Sequence, residues 1–264
     1  MIQVQRLSRI DLVSSDPERL AAFYEALGFT RLEPMRAGAE TRLRLRLGKE
    51  RIDLVRPATP GAPYPSSAPG WSPWFQHFAI VVSDMRPAYA RLQAQAGWTP
   101  ISTIGPVRLP ETSGGVTAFK FRDPEGHPLE LIAFPAARPD GSDVFVGIDH
   151  SAISVADTPR STQFYEGLGL IRTGGSLNTG IEQARLDGIA EPIVEVTALS
   201  PTAPTPHLEL LGYRVDFAPE ARHMDPNDIA ATRLIFGETT PMMIRDPDGH
   251  LIVVDEGEPY SGST

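Results

Sequence analysis

Asp16–Gly28 reads DPERLAAFYEALG and Asp157–Gly169 reads DTPRSTQFYEGLG. Laid over one another without a gap, the two segments share Asp, Arg, Phe-Tyr-Glu, Leu and Gly. Both read as helices. Pro17 and Pro159 stand just inside the start, where a missing N–H costs nothing, with Ser, Asp and Thr nearby to cap it. Leu20, Phe23, Tyr24 and Leu27 recur at i, i+3, i+4 and i+7, and Phe164, Tyr165 and Leu168 repeat that face, so the aromatic pairs are expected to pack into a core. Gly28 and Gly169 then stop the helices. The chain is therefore internally duplicated.

Further out the repetition continues. Arg-Asp-Pro-Glu-Gly-His at 122–127 and Arg-Asp-Pro-Asp-Gly-His at 245–250 each precede an apolar run, LELIAF and LIVV. Asp-Pro followed by Gly is turn chemistry, so each hexapeptide is a hairpin turn feeding a final strand, with His127 and His250 as structural residues at its start. Apolar runs also precede Asp16, Asp84 and Asp157, and seven places before these aspartates stand Arg9, His77 and His150. The chain reads as strand, helix, then several strands, three times over, near 7–56, 75–134 and 147–213. A fourth copy starts at Ala230 with Arg233 in the histidine's place. It is short by about a helix and a strand, because Arg233 lies much closer to Asp246 than His77 does to Asp123. Two halves are expected, residues 1–140 and 141–264, with charge balances of +3 and −12.

Composition narrows the chemistry. The 264 residues carry a net charge of −9, with 41% apolar and 22% charged side chains, as in an ordinary globular protein. There is no cysteine, which removes disulfides and thiolate chemistry and leaves His, Asp and Glu for any metal site. An acidic chain without a Lys/Arg run argues against nucleic acid. No apolar run approaches the roughly 18 residues of a membrane span, and the N-terminus lacks an apolar signal core, so a cytoplasmic protein is expected. Nothing resembles a phosphate loop, a dinucleotide fingerprint or a local Ser-His-Asp array.

A βαβββ unit with a histidine near the end of its first strand, an FYE-x-LG helix, and RDPxGH before a glutamate-bearing last strand resembles the vicinal oxygen chelate superfamily. That superfamily includes glyoxalase I, methylmalonyl-CoA epimerase, extradiol dioxygenases, fosfomycin-resistance enzymes and bleomycin-resistance binding proteins. The resemblance covers about residues 5–255. It implies an α+β fold of tandem paired βαβββ units, with curved mixed β-sheets around clefts and a truncated fourth unit. It also implies metal ligands on the first and last strands of each unit. Carried over by position, these are Arg9 and Asp53, His77 and Glu130, His150 and Glu209, and Arg233 and Val253, with Asp255 a substitute for Val253. Strand alternation sets Glu130 opposite Leu129 and Leu131, and Glu209 opposite Leu208 and Leu210. Carboxylates so flanked need water, a cation or a metal.

Arginine stays protonated and offers no lone pair to a metal. If units pair within each half, both clefts are damaged. If the second pairs with the third, one cleft holds His77, Glu130, His150 and Glu209, a complete set, and the outer units form a second, metal-free cleft with Arg9, Asp53 and Arg233. Sequence leaves both pairings open; the concentration of ligands in the central units favours the second. The resemblance then implies a divalent metal (Zn, Ni, Co, Mn or Fe(II)) and a glyoxalase-like isomerase, epimerase or lyase. Its substrate would be a small oxygenated molecule, with Glu130 or Glu209 moving the proton. Two alternatives stand beside it: a metal-free small-molecule binding protein of the bleomycin-resistance kind, and an Fe(II) ring-cleavage dioxygenase using His77, His150 and one glutamate. Trp71 and Trp74 either close over a flat ligand or pack within a proline-stiffened connector. His207, two places before Glu209, either supports the site or is a half-exposed surface residue, and His223 has no role. A monomer or homodimer is expected.

Overall fold

The computed structural model describes residues 4–33, 35–37, 40–66, 68–135, 143–215, 224–237 and 242–255. The first unit comprises β1 (Leu7–Val13), α1 (Pro17–Ala26), β2 (Thr30–Arg31), β3 (Met35–Ala37), β4 (Glu40–Leu47) and β5 (Glu50–Arg56). The second comprises β6 (Gln76–Val82), α2 (Met85–Gln93), β7 (Thr99–Pro100), β8 (Val107–Arg108), β9 (Thr117–Arg122) and β10 (Pro128–Ala133). The third has β11 (Phe145–Ser154), α3 (Thr158–Gly167), β12 (Ile171–Thr179), α4 (Gly180–Asp187), β13 (Ile193–Ser200) and β14 (His207–Tyr213). In the fourth, β15 (Arg233–Gly237), β16 (Met242–Arg245) and β17 (Leu251–Asp255) remain, so the expected helix and strand are missing among the described residues.

Asp16, Asp84 and Asp157 are the N-caps of α1, α2 and α3, each accepting a backbone N–H of the first turn. Within every unit the first strand lies parallel to the last: β1 beside β5, β6 beside β10, β11 beside β14 and β15 beside β17. Units then join through antiparallel contact of their first strands, β6 with β11 and β1 with β15. The second unit therefore pairs with the third, and the first with the fourth. One sheet runs β12-β13-β14-β11-β6-β10-β9-β7 and the other β16-β17-β15-β1-β5-β4-β2. The repeat boundary expected at residue 140 lies outside the described residues.

The main core joins both sheets to the helices. Leu20, Phe23, Tyr24 and Leu27 of the first duplicated segment enter it, as do Tyr165 and Leu168 of the second, with Phe78, Phe121 and Leu129 beside them. The two hexapeptide turns are built alike. Asp123 Oδ1 accepts from the backbone N–H of Glu125 and His127, and Asp246 Oδ1 from Asp248 and His250. Gly126 and Gly249 close these turns at φ +97°, a conformation that disfavours any side chain. His127 and His250 are structural: their Nε2 atoms meet the carbonyls of Val13 and Ser154 at 3.0 Å. The 63–75 stretch behaves as a connector. The Tyr64 hydroxyl donates to the Trp74 carbonyl, and Trp74 packs on a small cluster with Val13, Ala68 and Leu251. No described helix is long and apolar enough to cross a membrane.

Candidate metal centre

Strands β10, β6, β11 and β14 lie side by side at the middle of their sheet, and alternation sets His77, Glu130, His150 and Glu209 on one face. Ala79 stands across from Glu130, and Ala152 across from both His77 and Glu209. These small buried side chains leave the space above the strands to the imidazoles and carboxylates.

His77 Nε2 lies 3.1 Å from Glu130 Oε2, and His150 Nε2 lies 3.6 Å from Glu209 Oε2. The two imidazole rings meet edge to face with centroids 5.6 Å apart. His77, Glu130 and His150 each present a ligand atom within 4.8 Å of the other two. Despite their burial, His77 Nδ1 and Nε2 and His150 Nε2 have no aligned hydrogen-bond partner among the described residues, Glu130 included despite its 3.1 Å approach. Orphaned imidazole nitrogens beside carboxylate oxygens are the arrangement a bound cation completes.

A bulge refines this face. Between Ile148 and Ser151, β11 holds one residue more than β6. Asp149 and His150, neighbours in the chain, thereby both line the same cavity, and Asp149 Oδ2 sits 2.9 Å from His150 Nδ1. A carboxylate there keeps a proton on Nδ1 and turns the Nε2 lone pair inward. His207, directly across from His150, places its Nε2 3.5 Å from Glu209 Oε1, so it belongs to the site rather than to the surface.

Burial and neighbouring charge compete at each group. Burial lowers the pKa of His77 and keeps it neutral. At Glu130 burial is outweighed by His77 and Lys120, which hold the carboxyl below its ordinary value. Burial also opposes charge on Glu209, yet His150 and His207 bring it down to about 2. For His150, burial is overcome by Glu209 and Asp149, which push the imidazole up to about 9. At neutral pH, then, one imidazole and both carboxylates are in the state a cation requires, while His150 must give up a proton.

The cavity over these residues has a volume of about 320 Å³ and includes apolar walls from Leu109, Val116, Ile132 and Leu186. At one end α4 brings in Asp187, whose Oδ1 lies 2.7 Å from Lys120 Nζ, and whose Oδ2 accepts from Gln183 Nε2 and the Tyr213 hydroxyl. At the other end Glu209, His207 and Asp149 are more open.

Residues 6–131 match the family model of the Glyoxalase/Bleomycin resistance protein/Dioxygenase superfamily. This first part of the chain belongs to the superfamily. Glyoxalase I from Zea mays has a similar solved structure, with 18% identity, a TM-score of 0.63, and coverage of 95% of this chain and 92% of that one. A candidate dioxygenase from Bacillus subtilis is similar at 12% identity and a TM-score of 0.60, over 98% of this chain and 87% of that one. At these identities the likeness is one of fold. No functionally curated protein matches the chain.

The outer sheet carries the second set of positions expected from the resemblance, and there the chemistry differs. Arg9 Nε lies 2.8 Å from Asp11 Oδ1 and 3.4 Å from Asp53 Oδ2. Arg42 reaches Asp11 at 2.5 Å, and Arg51 reaches Asp53 at 3.4 Å. Arg233 pairs with Glu40 at 3.1 Å and donates to the Pro226 carbonyl; Glu40 also holds Arg42 at 2.9 Å, so Arg233 reaches the Arg9, Asp11 and Asp53 network through Glu40 and Arg42 rather than by direct contact. Val253 faces Ile235 across β15. The Asp255 side chain and His223 lie outside the described residues.

The family resemblance, carried over by position on the repeat, pointed to Glu130, Glu209 and the two histidines. It did not reveal Asp149, which alternation alone assigns to the opposite face, nor the Lys120–Asp187 pair, whose members are far apart in sequence. The signal available for Lys120 was its place in TAFKFR, where Phe119 and Phe121 turn to the core and Lys120 to the cavity.

Proposed function

We propose that His77, Glu130, His150 and Glu209 bind a divalent metal ion, and that the cavity catalyses isomerisation, epimerisation or elimination on a small molecule with neighbouring oxygens. The observation that carries this reading is the set of buried, hydrogen-bond-free ring nitrogens facing two ionised carboxylates. When bound, the ion polarises substrate oxygens and makes the adjacent C–H acidic. His77 and His150 are the neutral ligands, with Asp149 fixing the His150 tautomer. Glu130, closed in beneath the cavity, serves as a permanent ligand. Glu209, the more open of the two carboxylates, is the one placed to take up and return a proton at an oxygen atom, with His207 beside it. The apolar walls shield the proton transfer from bulk water.

The test is solvent deuterium exchange at the C–H next to the carbonyl of small hydroxyketones, followed by NMR in metal-loaded protein. Exchange that depends on the ion and disappears in Glu209→Gln supports the reading. Protein that holds its ion but promotes no exchange with any such ketone overturns the chemistry. A second reading is favoured by the tighter grouping of His77, Glu130 and His150 alone, a two-histidine, one-carboxylate set suited to Fe(II) ring cleavage. Oxygen uptake with catechols in the Fe(II)-loaded protein distinguishes it.

A further inference from the structure

We propose that the Lys120 ammonium receives an anionic oxygen of the substrate, so that the cavity selects small 2-oxo or 2-hydroxy carboxylates. This rests on the metal-centre reading for where the neighbouring oxygens lie.

Lys120 is 5% exposed, lines the cavity, and stands directly across β9–β10 from Glu130. A lysine ammonium has three donors, and Asp187 Oδ1, at 2.7 Å, takes one. The other oxygen of Asp187 is already held by Gln183 and Tyr213, so the position of the carboxylate, and through it the ammonium, is fixed. Stability does not explain such a pair. Two buried charges recover their desolvation only with difficulty, and an apolar pair of similar volume commonly does as well or better. Its location on the cavity wall does explain it.

The asymmetry of the site points the same way. His77 and Glu130 are mirrored by His150 and Glu209 across the β6–β11 contact, but the register partner of Glu130 is Lys120 whereas that of Glu209 is Ala198. A cation thus stands beside one ligand pair and a methyl group beside the other. The lysine end is closed, with side-chain exposures of 6% for Lys120 and 1% for Asp187; the opposite end is open, at 22% for Glu209 and 17% for His207. With a divalent ion balancing Glu130 and Glu209, the Lys120 ammonium, which gives one of its three donors to Asp187, is the cationic donor the closed end offers an anion. A substrate enters from the His207 side with its acid group leading, and its variable end remains at that open end.

The experiment compares wild type, Asp187→Asn and the double variant Lys120→Met/Asp187→Asn, which removes the pair together and leaves no buried charge unpaired. Thermal melting reports folding, Mn(II) binding by electron paramagnetic resonance reports the metal centre, and calorimetry measures oxalate and acetohydroxamate, with and without Mn(II). The double variant should bind oxalate about tenfold more weakly or worse, the loss expected for one charged hydrogen bond, while acetohydroxamate affinity is kept. Asp187→Asn, which frees the ammonium, should bind oxalate as tightly as wild type or more tightly. Equal oxalate affinity in wild type and the double variant overturns the proposal, as does parallel weakening in Asp187→Asn or no oxalate binding by wild type in either form. Failure of wild type to bind Mn(II) overturns the metal reading instead, and the oxalate comparison in metal-free protein then judges Lys120 separately.

Discussion

The 2.9 Å contact between Asp149 and His150 Nδ1 leaves Nε2 of that ring to face Glu209 in the proposed metal centre. Asp149→Asn should therefore keep the fold but lower metal affinity about 10- to 100-fold, measured by chelator competition. An unchanged affinity would show that the bulge has no part in the centre. At His127, Nδ1 faces Asp123 Oδ2 at 2.8 Å and Nε2 faces a carbonyl, two acceptors that call for a doubly protonated ring. Burial opposes that charge, but Asp123 outweighs it and raises the His127 pKa above its ordinary value. Asp123, likewise opposed by burial, is held below its ordinary value by His127. The histidine contribution is complete below its unfolded pKa of about 6.5 and fades as pH rises through the higher folded value. The aspartate contribution is complete above about 3.9 and fades as pH falls through the lower one. The stability gap between wild type and His127→Asn should be widest between about pH 4 and 6.5 and shrink toward alkaline pH in denaturant titrations. A gap that widens above neutrality would contradict this charge assignment. Such partnerships are not legible in sequence: Glu130 and Glu209 declare themselves as carboxylates between leucines, whereas Asp149 depends on a local bulge.

Among the elements, the helices and hexapeptide turns were legible because caps, prolines and glycines act locally. What they dock against was not. The turn between β9 and β10 holds the start of α1: Glu125 accepts from the backbone of Ser15 and Asp16, and the Tyr24 hydroxyl donates to Asp123 at 2.9 Å. The turn between β16 and β17 repeats this on α3, where Tyr165 donates to Asp246 at 3.0 Å and Ser161 to Asp248. The two signature motifs are thus partners, a fixed contact between units of the same half. Tyr24→Phe and Tyr165→Phe should each cost about 2 kcal/mol in unfolding free energy, the value of a buried hydrogen bond to a charged group. A cost near zero at both would mean the hydroxyls are incidental. Helix α4 went unread because its few apolar residues form too short a stripe, yet it supplies Asp187 at the cavity's closed end.

Over the whole molecule, helix–turn contacts link the first unit to the second and the third to the fourth, while the sheets join the second to the third and the first to the fourth. The repeat made the units legible; the choice of sheet partner depends on long-range strand pairing and was only favoured by where the ligands fall. That pairing brings the complete set of histidines and glutamates together and consigns the arginines to the outer sheet. There Asp11 and Asp53, fully buried, are neutralised by Arg9, Arg42 and Arg51. The most direct measurement is metal stoichiometry after dialysis against Ni(II), Zn(II) or Mn(II), compared in wild type, His77→Ala, His150→Ala and Arg9→Ala. The structure predicts one ion per chain, lost in both histidine variants and retained in Arg9→Ala. Folded wild-type protein that binds no ion, or histidine variants that bind it as well, would contradict the metal centre.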